Sequence, residues 1–418
     1  MSDIRELTEE HYPEIIRIAS EAYPSSGIVS AEDRTKQVER FKTARRDTRW
    51  TPYGLFRDGR IVGVFRNYDF KLNVRNVLIP TGGLGMVAVD LVHKKEHVAK
   101  EMVEFFHEHY DRREYAMTTL WPFRIDFYHD MGYGLGGGIH EYRLSPTDFP
   151  RGSSKEHVRL LTMDDVPAIN DCQNRMFRRR IGMLDSSAAY LETKMRYVQD
   201  LRYYGCEIDG RLEAYVITRW RKPEHPSSFM DNDLAVWEVV HHTPEAHAEL
   251  FTFLRSQLDQ VSRVWLQIPD DEFYFLPRNP TMRTGRQLPP TFNDCYTGAV
   301  GTMYRVLNAR RLWTQLADCD FNDLTLTVRI NLRDSFHPAN DGHLIVRFES
   351  GHPSVVDQGT PDVEIGLDGA EFSSLIMGAV HFHTLYEYRL ATISDVSKLD
   401  EIDRLFSYPQ RPVCYTGF

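Results

Sequence analysis

Apolar and polar positions along the chain change period in a recurring order. A Thr stands before an acidic, apolar-periodic stretch twice, at Thr8-Glu-Glu and at Thr162-Met-Asp-Asp, which is a helix start signal. Later, YGLFRDGRIVGVF at 53–65 and YGCEIDGRLEAYV at 204–216 each read as strand, Asp-Gly turn, strand, the signature of a β-hairpin. An apolar β run follows each hairpin, at 86–90 and at 237–241, and then a long helix and another strand. In the first of these helices Val98, Met102, Phe105 and Phe106 fall at helical spacing and predict one buried face.

The two series are copies. IRELTEEHYPEI at 4–15 aligns with VRLLTMDDVPAI at 158–169, sharing Arg5/Arg159, Leu7/Leu161, Thr8/Thr162, Pro13/Pro167 and Ile15/Ile169. The offsets are 154 (159 − 5) at the start and 151 (204 − 53) at the hairpin, the length of a whole domain. Solenoid repeats have periods of only ~20–50 residues. A duplicated domain is expected, with a turn-rich linker DFPRGSSKEH at 148–157 and a proline-rich stretch at 275–295 before a third unit. That unit, beginning with Met303-Tyr-Arg-Val-Leu, alternates in LTLTVRINLRD (324–334) and HLIVRFES (343–350) and turns helical in EFSSLIMGAV (371–380). The expected divisions are 1–150, 151–296 and 297–418, and the class is α/β (α+β).

Composition narrows the chemistry. The chain has 418 residues, 42 % hydrophobic and 26 % charged, the profile of a globular protein. No window approaches the ~18 consecutive apolar residues of a membrane span. Net charge is −10, which argues against nucleic acid and favours a cationic ligand. Five scattered cysteines without a C-x-x-C pair predict neither a disulfide framework nor a structural zinc site, and fit a reduced, cytosolic setting. His107-x-His109 and His381-x-His383 lack a third ligand at metal spacing, so no metal is expected. Cys172 and Asp318-Cys319-Asp320 have no nucleophile context.

Two stretches compete as cofactor sites. Gly132-x-Gly134-x-x-Gly137 has the spacing of a dinucleotide fingerprint, but that fingerprint must follow a strand and open a helix. These glycines follow the helix-like IDFYHDM and lead into the strand-like IHEYRL, so the match is a coincidence of glycine density. The other is AVDLVHKKEHVAKEM at 88–102: strand, basic turn, helix. A helix N-terminus offers unpaired amides and partial positive charge to a pyrophosphate, and Lys94 and Lys95 add formal charge. The second copy has Glu245 and Glu249 in that region, where a phosphate would be repelled. Only the first copy is expected to bind a phosphorylated cofactor.

With VAV at 87–89, HKKEHVAK at 93–100, FYHDMGYG at 127–134 and the terminal PVCYTGF at 412–418, the chain resembles the GCN5-related N-acetyltransferases (GNAT). Two such units before a sterol-carrier-like domain resemble the enhanced intracellular survival (Eis) family, over essentially the whole chain. The resemblance implies tandem GNAT folds plus a sterol-carrier-protein-like domain, with acetyl-CoA held by Val87, Ala88, Val89, Lys94, Lys95, Glu96, His97, Val98 and Ala99. It implies direct attack of an acceptor amine on the thioester, with Tyr128 as general acid to the thiolate and the Phe418 terminal carboxylate as general base. A backbone N–H within 87–89 would stabilise the developing oxyanion. Asp126 is a candidate contact for the acceptor. Acceptors implied are polyamine-like, with aminoglycosides characteristic, and the assembly implied is a hexamer, a trimer of dimers. One departure is visible: the family loop reads Arg/Gln-x-x-Gly-x-Gly/Ala, whereas Lys94-x-x-His97-x-Ala99 places histidine at the first glycine. That side chain narrows the phosphate's approach unless it points outward. A lipid- or ligand-binding protein with decayed GNAT units, and an acetyltransferase of protein lysines, are the competing readings.

Overall fold

The computed structural model describes residues 3–223, 231–285 and 287–418. The first stretch of chain gives β1 (Asp3–Glu6), α1 (Tyr12–Ala22), α2 (Ala31–Ala44), β2 (Trp50–Arg57), β3 (Arg60–Val74), β4 (Val77–Val89), α3 (Val98–Arg112), β5 (Met117–Leu120), α4 (Ile125–His129) and β6 (Gly134–Leu135). The second gives β7 (Gly138–Leu144), β8 (Val158–Leu161), α5 (Val166–Phe177), α6 (Ala188–Tyr197), β9 (Leu201–Ile208), β10 (Arg211–Arg221), β11 (Asp233–His241), α7 (Pro244–Arg255) and β12 (Arg263–Ile268). Short strands β13 (Gln287–Leu288), β14 (Phe292–Asn293) and β15 (Thr297–Val300) close it. The third gives β16 (Met303–Val306), α8 (Ala309–Gln315), β17 (Leu326–Arg333), β18 (Gly342–Glu349), β19 (His352–Val356), β20 (Val363–Asp368), α9 (Gly369–Ile376), α10 (Phe382–Glu387), β21 (Ala391–Ile393) and α11 (Leu399–Phe406).

Both Asp-Gly turns are two-residue hairpins with positive φ at each central position: Asp58 (49°) and Gly59 (75°), then Asp209 (50°) and Gly210 (74°). This is the I′ geometry, whose twist matches that of the flanking strands. The third unit's expected strands and helix form as β17, β18 and α9.

The chain forms two compact units, one of residues 1–137, 179–185 and 301–418, the other of 138–178 and 186–300. The first unit holds a seven-stranded sheet in the order β1-β2-β3-β4-β5-β16-β6, with β4 and β5 parallel and the other neighbours antiparallel. It also holds the five-stranded sheet β19-β18-β17-β20-β21. The second unit is the sheet β15-β7-β12-β11-β10-β9-β8 with its helices. Two strands therefore cross the divisions expected from sequence. Residues 138–144, placed before the 150/151 division, pair with β12 in the second sheet; Met303–Val306, placed after 296/297, fill the first sheet between β5 and β6. All four residues of β16 are buried, and two-residue β6 is too short to cover β5 by itself. The proline-rich stretch at 275–295 is largely irregular, apart from Arg286, which lies outside the described residues.

In the first unit, residues 182–185 extend the sheet past the point where β2 ends. The Asn73 amide donates to Met183 (3.0 Å), and Gly182 and Asp185 donate back to Asn73 (2.9 Å) and Lys71 (3.1 Å). The C-terminal tail runs along this segment: the Val413 amide bonds the Ile181 carbonyl at 2.9 Å and the Thr416 hydroxyl bonds that of Leu184 at 3.3 Å. The glycines of 132–137 admit close neighbours here. A Cβ on Gly132 would strike Arg305, on Gly134 the Ala370 carbonyl, and on Gly137 the Pro412 carbonyl. Their density is a packing requirement for the C-terminal segments. The sheet carrying β17 buries Trp313 among Phe321 (5.3 Å between ring centroids), Phe348 (5.5 Å) and Phe406 (6.4 Å), so aromatic side chains of the chain itself fill its apolar face. Among the described residues no helix is long and apolar enough to cross a membrane.

Candidate active site

The site begins where two parallel strands part. β4 pairs with β5 only from Thr81 to Leu84, opposite Met117 to Leu120. Beyond Leu84, β4 continues to Val89 with β3 on one edge and, among the described residues, no strand on the other. Its pairing to β3 slips there: Val64 faces Ala88 and Arg66 faces Gly85, so two steps on β3 span three on β4. The surplus is a β-bulge, with Met86 at φ 50°. The Asp90 amide donates to Val62 on β3 (3.0 Å). Strand alternation then directs the N–H and C=O of Val87 and Val89 to the open edge.

A cavity of about 600 Å³ lies along that edge. Val87, Val89 and Tyr23 line it at one side, Lys94, Lys95 and the first turn of α3 at another, and Phe123, Phe127 and Met131 complete it. His97 is the N-cap of α3, held left-handed at φ 61° with no side-chain cap. Its side chain is exposed, so the first amides of α3 stay uncapped. The positive φ explains the glycine usual in the family: a non-glycine residue there costs ~1–2 kcal/mol. In the second unit the corresponding helix α7 is already capped, since the Thr243 hydroxyl accepts from the Ala246 amide and Glu245 stands in its first turn.

The sequence-derived residues do not all face the cavity. Val87, Val89, Lys94, Lys95, His97, Val98 and Ala99 do; Ala88 points into the core, and Glu96 is turned away. Arg57 brackets Glu96 and Glu101 at 2.7 Å each, and His93 bonds Glu96 at 3.0 Å, so Glu96 pins the basic turn. The His93 hydrogen bond, then Arg57, holds the Glu96 carboxyl below its usual range. Asp126 lies exposed and pairs with Arg124, which itself lines the cavity.

Tyr128, on α4, is 2 % exposed, with its ring against Phe123 (5.4 Å), Phe127 (5.1 Å) and Tyr133 (5.9 Å). Among the described residues its hydroxyl has no hydrogen-bond partner. Burial, then the neighbouring Tyr23 and Tyr133, pushes that hydroxyl well above the ordinary phenol value. Behind it, Tyr133 bonds the fully buried His107 at 3.0 Å. Burial keeps His107 neutral, and His109 sits half-buried beside Arg113. His381 faces Asp403 at 3.6 Å and His383 faces Glu387 at 3.5 Å.

Phe418 reaches the same divergence of strands. Its ring packs edge-on to Tyr68 (5.4 Å) and Phe70 (5.0 Å) on β3. Its carboxyl carbon lies 3.1 Å from where Gly85 would carry a Cβ, one residue past the last β4–β5 pair. Trp121, one residue past β5, donates its indole N–H to the Thr416 carbonyl at 3.2 Å. Sequence reasoning missed Gly85, Trp121 and Tyr23. It also missed Arg17, whose guanidinium ties α1 to Asp90 at the end of β4 (2.5 Å). Trp121 and Tyr23 bond backbone carbonyls, which leave no complementary residue pattern to read.

A splayed β4/β5 pair, a bulge, and an uncapped helix after a basic turn define an acetyltransferase of the GNAT class. Residues 3–136 match the family profile described as Acetyltransferase (GNAT) domain, 182–306 a second profile of the same description, and 305–415 a Sterol carrier protein domain. The chain is a tandem GNAT protein with a C-terminal sterol carrier protein domain, the Eis-like arrangement. Its fold is similar to a GCN5-related N-acetyltransferase from Kribbella flavida (19 % identity, TM-score 0.76) and another from Anabaena variabilis (13 %, 0.79). It is equally similar to Eis1 from Mycobacterium abscessus (18 %, 0.76); in all three comparisons 100 % of both chains is covered. Curated protein sequences give no match.

Proposed function

We propose that this protein acetylates amines of polycationic small molecules of the aminoglycoside type, using acetyl-CoA. The observation that carries the reading is the Phe418 carboxyl against Gly85, at the mouth of the β4/β5 divergence. The residues present suit the donor: uncapped amides of α3 and Lys94 and Lys95 match a pyrophosphate, and the open edge at Val87 and Val89 matches an amide-bearing arm. Acetyl-CoA supplies the activated acyl group.

The Phe418 carboxylate takes the proton that the acceptor nitrogen must lose as its bond to the acyl carbon forms. Backbone N–H groups within Val87–Val89 hold the acyl oxygen. Tyr128 gives its hydroxyl proton to the sulfur as the carbon–sulfur bond breaks, and burial keeps that proton in place at neutral pH. Asp126 and the net charge of −10 favour a cationic acceptor. In the second unit, Thr243 and Glu245 oppose a phosphate at α7, so transfer is assigned to the first unit alone. We extend the proposal to a cytosolic hexamer, a trimer of dimers, which the mass in solution tests.

The experiment is thiol release from acetyl-CoA with an aminoglycoside, with a lysine peptide, and with no acceptor. Aminoglycoside-dependent release is expected. Release only with peptides would make it a protein acetyltransferase, and no release with any amine would overturn the enzymatic reading.

A further inference from the structure

We propose that Tyr23 is a placeholder: its hydroxyl occupies the Val87 carbonyl that an amide N–H of the acyl donor's arm takes when the donor binds. The inference rests on the reading that this cavity receives acetyl-CoA.

The open edge of β4 is half of a β-ladder. Val87 and Val89, two residues apart, both direct backbone groups away from β3, so an extended chain bearing amides can bond to them as a further strand would. A buried or half-buried carbonyl left unpaired is costly, and proteins satisfy such groups with whatever donor is near. Here the donor is the Tyr23 hydroxyl, which bonds the Val87 carbonyl directly. Tyr23 itself lines the cavity, so the bond lies inside the space the donor needs. Burial pushes the Tyr23 hydroxyl up to about 12, leaving it a proton donor at neutral pH.

The position of Tyr23 suits displacement. It is the residue that ends α1, already out of helical conformation at φ −123°, ψ 70°. The connection to α2 then passes through Gly27, whose φ of 70° and open surroundings leave room to move. The preceding turns of α1 stay fixed to β4 through Arg17 and Asp90, so the ring can swing without α1 leaving the sheet.

Removing the hydroxyl leaves the Val87 carbonyl unpaired until the donor arrives, so binding no longer breaks a bond to make one. For a single neutral hydrogen bond this corresponds to about 2- to 10-fold tighter binding. The test is calorimetric titration of acetyl-CoA into the full-length wild type, Tyr23→Phe and Tyr23→Leu, with thermal midpoints confirming that each is folded. Tighter binding in both variants is expected. Unchanged or weaker binding in a folded variant would overturn the placeholder and make Tyr23 a brace of the bulge. Failure of wild type itself to bind acetyl-CoA would instead sink the acetyltransferase reading.

Discussion

Gly85→Ala tests the terminal carboxylate with one methyl group. The new Cβ would lie 3.1 Å from the Phe418 carboxyl carbon, 3.4 Å from its oxygen and 2.9 Å from Tyr68 Cε2. Gly85 does not use the left-handed region, so alanine is compatible with its backbone and the effect is one of space. Tyr68 cannot retreat, because its ring is stacked between Phe70 (5.3 Å) and Trp50 (6.1 Å). The contact with Tyr68 is therefore taken up by the backbone at Gly85, and the terminal residue, tethered on one side only, gives by a few tenths of an ångström. Overpacking of a fixed core costs ~1–3 kcal/mol, so the thermal midpoint should fall by about a few degrees. A catalytic group misplaced by about 1 Å costs on the order of 10²-fold in rate, so the few tenths of an ångström that Phe418 must give costs on the order of several-fold. In a thiol-release assay with an aminoglycoside, Gly85→Ala should lose about 3- to 10-fold in kcat, with the KM for acetyl-CoA nearly unchanged. Extending the chain by one glycine after Phe418 should cost more, on the order of 10²-fold or greater. Wild-type turnover in a folded Gly85→Ala protein would refute the assignment of Phe418 as base.

Three further outcomes are expected. Because burial raises the Tyr128 hydroxyl far above its ordinary value, Tyr128→Phe should lower kcat about 100-fold with the same factor across pH ~6 to 10; an alkaline limb that disappears in the variant would contradict this. Replacing Lys94 and Lys95 together by alanine should weaken acetyl-CoA binding about tenfold at low salt and much less at high salt, measured by titration at two ionic strengths. His107 is buried neutral with its folded-state value well below the ordinary 6.5, so the unfolded chain binds the extra proton. Its contribution to stability is present above pH 6.5 and falls as pH drops below it, by about 1.4 kcal/mol per pH unit until the folded value is reached. Denaturant melts of His107→Leu should show a shallower acid slope than wild type, and an unchanged slope would rule His107 out as the source.

Local chemistry explains what the sequence revealed and what it concealed. The Asp-Gly hairpins were legible because only a short list of residues tolerates two successive positive φ values, and the apolar face of α3 because its period is unmistakable. The basic turn and Tyr128 were legible through their charge and motif spacing. The destination of β16 was not: Met-Tyr-Arg-Val carries no alternation when all four residues are buried, and its partner β5 lies 183 positions or more earlier in the chain (303 − 120). Ala88 and Glu96 were grouped with the cavity because spacing cannot tell which side of a strand or turn faces a ligand. His97 narrows the phosphate's approach unless its side chain points outward; that side chain is exposed and lines the cavity, and the residue takes a left-handed backbone that its type does not announce.

The exchange of β7 and β16 bears on how such a chain can be inherited. A gene fragment encoding residues 1–150 would specify a sheet lacking β16 and carrying β7 without its partner β12. Recombination between the duplicated halves would leave open hydrogen-bonding edges on both products. Excising the second copy at 151–296 would likewise leave β7 without β12, so the repeat is no longer divisible at those bounds.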